Sequence, residues 1–131
     1  MRLKIFIIIH CGANNIGAIH TRRLLHVVKL ILSECKVLFH TAKLVWSCTL
    51  PRRSWRYSSN IRAMNQARAR LDRVAIRSVV SLGGAFIKHP QFKASLSQLF
   101  DSDGVHLSQL GNDLLLNNMQ GAIENFLGSL Q

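Results

Sequence analysis

Acidic side chains are scarce in this chain of 131 residues: Asp and Glu number 6 against 17 Lys and Arg, which leaves a formal net charge of +11. Such an imbalance favours anionic partners, nucleic acid or a membrane surface, but it speaks to association and not to fold. A basic solvated face that offsets acidic segments elsewhere in a longer protein is the plainer reading of the same charge. Cysteine is scarce as well. Cys11, Cys35 and Cys48 are odd in number and match no metal-ligand spacing. That excludes a disulfide scaffold and argues for free thiols in a reducing, intracellular compartment, cytoplasmic or nuclear. Long apolar runs are missing too. The opening MRLKIFIIIH imitates a signal peptide, but its run from Ile5 to Ile9 meets His10. A signal peptide needs about 7–15 apolar residues there. No stretch approaches the ~18 apolar residues of a membrane span. Internal repeats and low-complexity segments are absent.

What is present is globular. Hydrophobic residues make up 48% and charged residues 18%, a composition able to bury a core and sized for one domain or part of one. Leu3 to Ile9 is rich in β-branched residues and reads as a strand buried on both faces, as in parallel sheets. A Gly/Asn turn, Cys11 to Gly17, follows it. A helical pattern then runs from about Ala18 to Glu34, with Leu24, Leu25, Val28, Ile31 and Leu32 as its apolar stripe. Lys43 to Cys48 reads as a second strand, and Pro51 to Asn60 as a basic loop containing Trp55 and Tyr57. Ile61 to Val80 is the clearest helix, with Met64, Ala67, Leu71, Val74, Ala75 and Ser78 at helical spacing and Gly83-Gly84 as its stop. Ala85 to Lys88 is a third short strand, and His89 to Ser102 a loop. Ser108 caps a final helix to about Leu127, striped by Leu115, Met119, Ala122 and Phe126. Strands alternating with helices predict a parallel sheet covered by helices. Ligands in such sheets bind beyond the carboxyl ends of the strands, so residues 10–17, 49–60 and 89–107 are the informative loops.

The strongest chemical signal is Asp103-Gly104-Val105-His106-Leu107-Ser108-Gln109-Leu110-Gly111, just before the final helix. A histidine acting as a base needs a carboxylate to hold one ring nitrogen protonated and leave the other free. Asp and His three apart in one turn meet that need. A bare D-x-x-H arises often by chance, and its bland reading is a solvated Asp beside a helix-start His. The longer block D-G-V-H-L-S-x-x-G resembles the last conserved block of the SGNH, or GDSL-like, hydrolases. Gly12-Ala13-Asn14-Asn15 resembles the G-x-N-D block of the same family. The stretches Val45-Trp46-Ser47, Leu50-Pro51-Arg52-Arg53, Trp55-Arg56, Gly83-Gly84-Ala85 and His89-Pro90 look like a subgroup found in retrotransposon polyproteins, notably tyrosine-recombinase elements of fish and other vertebrates. The resemblance covers nearly the whole chain, with the motifs in family order.

It implies an α/β fold, a three-layer flavodoxin-like parallel sheet lacking the N-terminal part, with residues 1–131 as a partial SGNH hydrolase-like domain. It implies ester hydrolysis through an acyl-serine, with His106 as general base, Asp103 as its orienter, Asn14 as oxyanion donor and Gly12 permitting the tight turn. The sequence departs from the pattern at Asn15, where the family has an Asp that braces the loop, and the swap leaves the donor geometry open. The family's G-D-S block, which carries the nucleophile, and the next block, which supplies a glycine N–H to the oxyanion, both precede the strand at Leu3 and have no counterpart here. No nucleophile is assigned. Ser47, Ser78, Ser81 and Ser108 read as strand, helix-face, helix-end and cap residues. The chain alone is therefore expected to be inactive, and an acyl-ester substrate is expected only if a missing N-terminal segment completes the site.

No metal or organic cofactor is needed for this chemistry, and His10, His20, His26, His40 and His89 show no zinc spacing. His10, at a strand end, is a candidate to line the site. Gly12 to Gly17 lacks the Lys-Ser/Thr of a phosphate-binding loop. A rival reading is a nucleic-acid-binding accessory module. Arg52, Arg53, Arg56, Arg62, Arg68, Arg70, Arg73 and Arg77 cluster in one region, with Trp55 and Tyr57 as candidate stacking surfaces. The remaining reading is a non-functional remnant.

Overall fold

The computed structural model describes residues 3–129. Strand β1 (Phe6–Ile9) leads through a 3-10 turn at Ala13–Asn15 into helix α1 (Thr21–Leu38). Strand β2 (Lys43–Ser47) and a long loop lead to helix α2 (Ile61–Ser81). Strand β3 (Ala85–Ile87), a second 3-10 turn at Ser97–Leu99 and helix α3 (Gln109–Gly128) complete the described chain. The strands lie in the order β1-β2-β3, all parallel, with Ile9 opposite Trp46 and Ser47 opposite Ile87.

Side chains alternate across the sheet, and the two faces differ. Ile7, Ile9, Leu44 and Trp46 point into a core shared with Leu24, Val28 and Leu32 of α1 and Met64, Leu71, Ala75 and Val79 of α2. On the opposite face Phe6 stacks on Phe126 of α3 at 6.0 Å between ring centroids, and the Lys43 ammonium sits 5.4 Å from the same ring. Helices on both sides of a parallel sheet make a three-layer α/β fold, as the alternating pattern predicts. A second apolar cluster of Phe92, Leu99 and Phe100 packs with Leu107, Leu114 and Leu115. It clamps the loop after β3 onto the start of α3.

Polar contacts fix the carboxyl end of β2. Trp46, fully buried, donates its indole N–H to Asp72 Oδ1 at 3.0 Å. The amide and hydroxyl of Thr49 also donate to the Asp72 carboxylate, at 2.9 and 2.8 Å. Helix α2 is thereby tied to the loop that leaves β2.

Three boundaries differ by more than one residue from those read in the sequence. Strand β1 begins only at Phe6, where β2 first opposes it, and it is a half-buried edge strand instead of one buried on both faces; Leu3 is 87% exposed. Helix α1 starts three residues late because Ala18 and Ile19 donate their amides to Asn15 and Gly17 adopts φ +87°. It also runs four residues long, since no Gly or Pro stops it after Glu34. Lys36 then closes its end by donating to the carbonyls of His40 and Ala42. The helix α2 stop falls where expected: Gly83 takes φ +79° and the Gly84 amide bonds the Val79 carbonyl.

Candidate active site

The turn before α3 organises itself around one carboxylate. Asp103 Oδ1 accepts the amide hydrogens of Val105 and His106, both at 2.9 Å. Its Oδ2 accepts from His106 Nδ1. Gly104, at φ +71°, lets the chain turn sharply enough for this, and its carbonyl takes the Arg53 amide at 2.8 Å. Ser108 then caps α3 by accepting the Gly111 amide at 3.1 Å and donates its hydroxyl to the Gln98 carbonyl.

The electrostatics follow from these bonds. The His106 hydrogen bond and the two amides hold the Asp103 carboxyl down at about 2. The same hydrogen bond, with the carboxylate charge behind it, raises the His106 imidazole above its ordinary value. Nδ1 is the protonated nitrogen when the ring is neutral, because it faces a carboxylate, so Nε2 is left as a free base. The His106 side chain is 77% exposed, and the dyad faces open solvent.

Asn14 stands across the same cleft, a hollow of about 440 Å³ bordered also by Arg52, Trp55, Tyr57 and Val105. Arg52 Nη2 donates to Asn14 Oδ1 at 2.5 Å. A guanidinium has donors only, so the amide oxygen must face it, and the Nδ2–H₂ end remains available as a donor. Arg52 itself is seated over the Trp55 ring at 5.1 Å. Gly12 takes φ +102° and its carbonyl accepts the Asn15 amide, which closes the turn that presents Asn14. It borders an adjoining hollow of about 290 Å³ that His10 also lines.

Sequence reasoning placed Arg52 in a nucleic-acid patch and missed its bond to Asn14. It also missed a row of polar groups across the sheet end. His10 Nδ1 lies 2.9 Å from Ser47 Oγ, which lies 2.7 Å from His89 Nε2, and Asn118 Nδ2 lies 3.1 Å from His89 Nδ1. His10 follows β1, Ser47 ends β2 and His89 lies two residues beyond β3. The rule that sites form at the carboxyl ends of parallel strands could have grouped them. Ser47 is 0% exposed, so this Ser–His pair is closed to any substrate. Burial pushes the His89 imidazole down to about 4 and lowers His10 as well.

The thiols offer no substitute nucleophile close by. Cys48 is buried and its thiol is pushed up to about 12, and burial raises Cys11 too. No group of three or more metal-ligating side chains comes together among the described residues.

The basic cluster expected from the sequence divides in two. Arg52 and Arg56 border the His106 cleft, and Arg53 donates to the Ala94 carbonyl at 2.7 Å. Arg68, Arg73 and Arg77 instead line a groove beside β3, and Arg70 lies exposed on α2 outside both. Trp55 is 8% exposed and belongs to the core, which corrects its expected role as a stacking surface for bases; Tyr57 is 50% exposed.

No family model and no curated protein matches the chain. Solved structures do. A protein from Streptococcus pneumonia described as a platelet activating factor superposes with a TM-score of 0.66 at 18% identity, over 90% of this chain and 59% of its own. A protein from Bacteroides fragilis described as an acylhydrolase gives 0.66 at 22% identity, over 93% and 62%. A GDSL-like lipase from Bacteroides thetaiotaomicron gives 0.66 at 19% identity, over 92% and 62%. The chain shares its α/β fold with these three structures. This chain spans about three-fifths of the length of each of these structures. No helix among the described residues is long and apolar enough to cross a membrane.

Proposed function

We propose that this chain carries the base and oxyanion half of an SGNH-type serine esterase site, completed by a nucleophile-bearing segment outside residues 1–131. The observation that carries the reading is the placement of Asn14 and the Asp103–His106 dyad around one cleft. In the completed site His106 Nε2 takes the proton from a serine hydroxyl as its oxygen attacks an ester carbonyl. The carbonyl electrons move onto oxygen, and the Asn14 amide donates to that oxyanion. Asp103 holds the imidazolium that forms. Collapse of the tetrahedral intermediate expels the alcohol, which takes the proton back from His106. Water then repeats the sequence on the acyl-serine. Such a donor is worth about 2.7–4 kcal/mol in comparable sites.

The partial coverage of the solved structures and the outer edge of β1, which pairs with no strand among the described residues, support a partial domain that receives further strands. The motif order read in the sequence supports the retrotransposon-associated subgroup. The three free thiols support an intracellular setting. Residues 1–131 by themselves are expected to show no hydrolysis of p-nitrophenyl acetate above the imidazole background. Turnover that disappears in His106→Ala would overturn this and require a nucleophile within the chain.

A second reading, nucleic-acid binding, is favoured by the exposed arginines of α2, Arg62, Arg70, Arg73 and Arg77. Its mark is a steep fall of affinity with salt. Binding that is absent or insensitive to salt excludes it.

A further inference from the structure

The groove beside β3 is a further cavity, with a volume of about 650 Å³ and a mixed charged and apolar lining, that the esterase reading does not use. Arg73 and Arg77 project into it from α2, one turn apart and therefore on one face. Arg68 lines it from the same helix, and Lys88 from the end of β3. Facing these four cations is one carboxylate, Asp72. Its oxygens are already engaged by Trp46 and Thr49. Among the described residues the only ion pair is that of His106 with Asp103, so none of the four cations touches a carboxylate, although Asp72 lies near enough to favour the Arg68 charge. Arg68 carries a further sign of incomplete satisfaction: its Nη1 reaches the Thr49 carbonyl at 2.9 Å, but its Nε–H is shut away from solvent with no acceptor. Four cations and one carboxylate leave three net positive charges held around one hollow. The neutral His89 at its border adds none.

We propose that this groove binds a diphosphate ester of about nucleoside-diphosphate size, at a site separate from the His106 cleft. Three points carry the assignment. A diphosphate ester brings about three negative charges at neutral pH, matching the net charge of the lining. Guanidinium forks grip phosphate oxygens in pairs, and Arg73 and Arg77 are free to do so. The volume falls within the roughly 300–1,000 Å³ of small-molecule sites. Ile76 and Pro90 supply an apolar flank for the organic part of the ester. A nucleic-acid strand fits less well, because strand binding uses exposed rings on which bases stack. The ring that borders this groove, Phe92, is only 5% exposed.

Isothermal titration of the chain with ADP and with inorganic pyrophosphate tests the proposal. Both should bind one per chain, ADP with a Kd on the order of 1–100 μM, and pyrophosphate should displace ADP. Arg73→Ala with Arg77→Ala, and independently Lys88→Ala, should each weaken ADP at least about tenfold. These side chains are exposed, and circular dichroism checks that the variants stay folded. Arg62→Ala and His106→Ala should leave the affinity unchanged. The proposal is overturned if neither probe binds the folded chain, or if Arg62→Ala weakens ADP as much as the groove variants do. It is equally overturned if an oligothymidylate binds, loses its binding in the Arg73→Ala, Arg77→Ala variant and is not displaced by pyrophosphate, which would assign the groove to nucleic acid. None of these outcomes depends on the esterase reading, which stands or falls on His106.

Discussion

His106 and Asp103 lie in one turn, so their geometry is set by neighbours in sequence, and the longer block D-G-V-H-L-S-x-x-G, not D-x-x-H alone, pointed to them. Asn14 was legible only as a motif position. What orients it comes from Arg52, 38 residues further along. No periodicity links two such loops. The Asp-to-Asn departure at Asn15 pointed to a missing brace without saying what stands in for it. Two measurements probe this scale. An NMR titration of the His106 ring should give a midpoint above 6.5, and Asp103→Asn should bring it back down, because the hydrogen bond to the carboxylate is the largest cause of the shift. The sign has a catalytic consequence: the free-base form disappears as pH falls through the raised value, so any reaction that uses His106 as base slows on the acid side. Arg52→Ala should free the Asn14 amide and move the His106 midpoint further up, because the guanidinium charge opposes protonation of the ring. In a complete site it should cost up to about 10²–10³ in kcat, the scale of one lost oxyanion donor, with KM little changed.

At the scale of elements, legibility follows punctuation. Helix α2 was read to within one residue because Met64, Leu71 and Ala75 keep helical spacing and two glycines end it. Helix α1 was misplaced at both ends because a turn consumes Ala18 and Ile19 and nothing stops the helix after Glu34. Strand β1 was overestimated because an apolar run does not reveal where its partner strand begins. The block that ends in Gly111 carries more than a cap. A Cβ there would lie 2.2 Å from the Leu99 carbonyl oxygen and 3.2 Å from Leu107 Cβ. The absence of a side chain lets α3 start directly against the loop that holds His106. Gly111→Ala should therefore cost about 1–3 kcal/mol in urea unfolding and shift the His106 resonances. By contrast Gly121→Ala, in open space on the same helix, should be neutral or stabilising by up to about 1 kcal/mol.

For the whole molecule, strand–helix alternation was enough to predict a three-layer α/β fold. The polar row across the sheet end was not read, although strand order brings residues 10, 47 and 89 together; residue 118 joins them from α3. That row makes stability depend on pH. His89 is buried and its folded value lies near 4, below the ordinary 6.5, mainly through desolvation; His10 shifts the same way. Between those values the unfolded chain binds more protons than the folded one, so stability rises with pH across that window and is lost as pH falls through it. Thermal melts from pH 7 to pH 4 should show a falling Tm, and His89→Gln should flatten the slope. A slope unchanged by that substitution would assign the effect to other groups.

The central claim is that His106 is the base of an esterase site whose nucleophile lies outside residues 1–131. The most direct test is hydrolysis of p-nitrophenyl butyrate by the protein expressed from its full native transcript, with His106→Ala measured beside it. Turnover that falls by about 10³–10⁴-fold in His106→Ala is the predicted result. Absence of turnover in the full protein, or turnover that survives His106→Ala, would contradict the account.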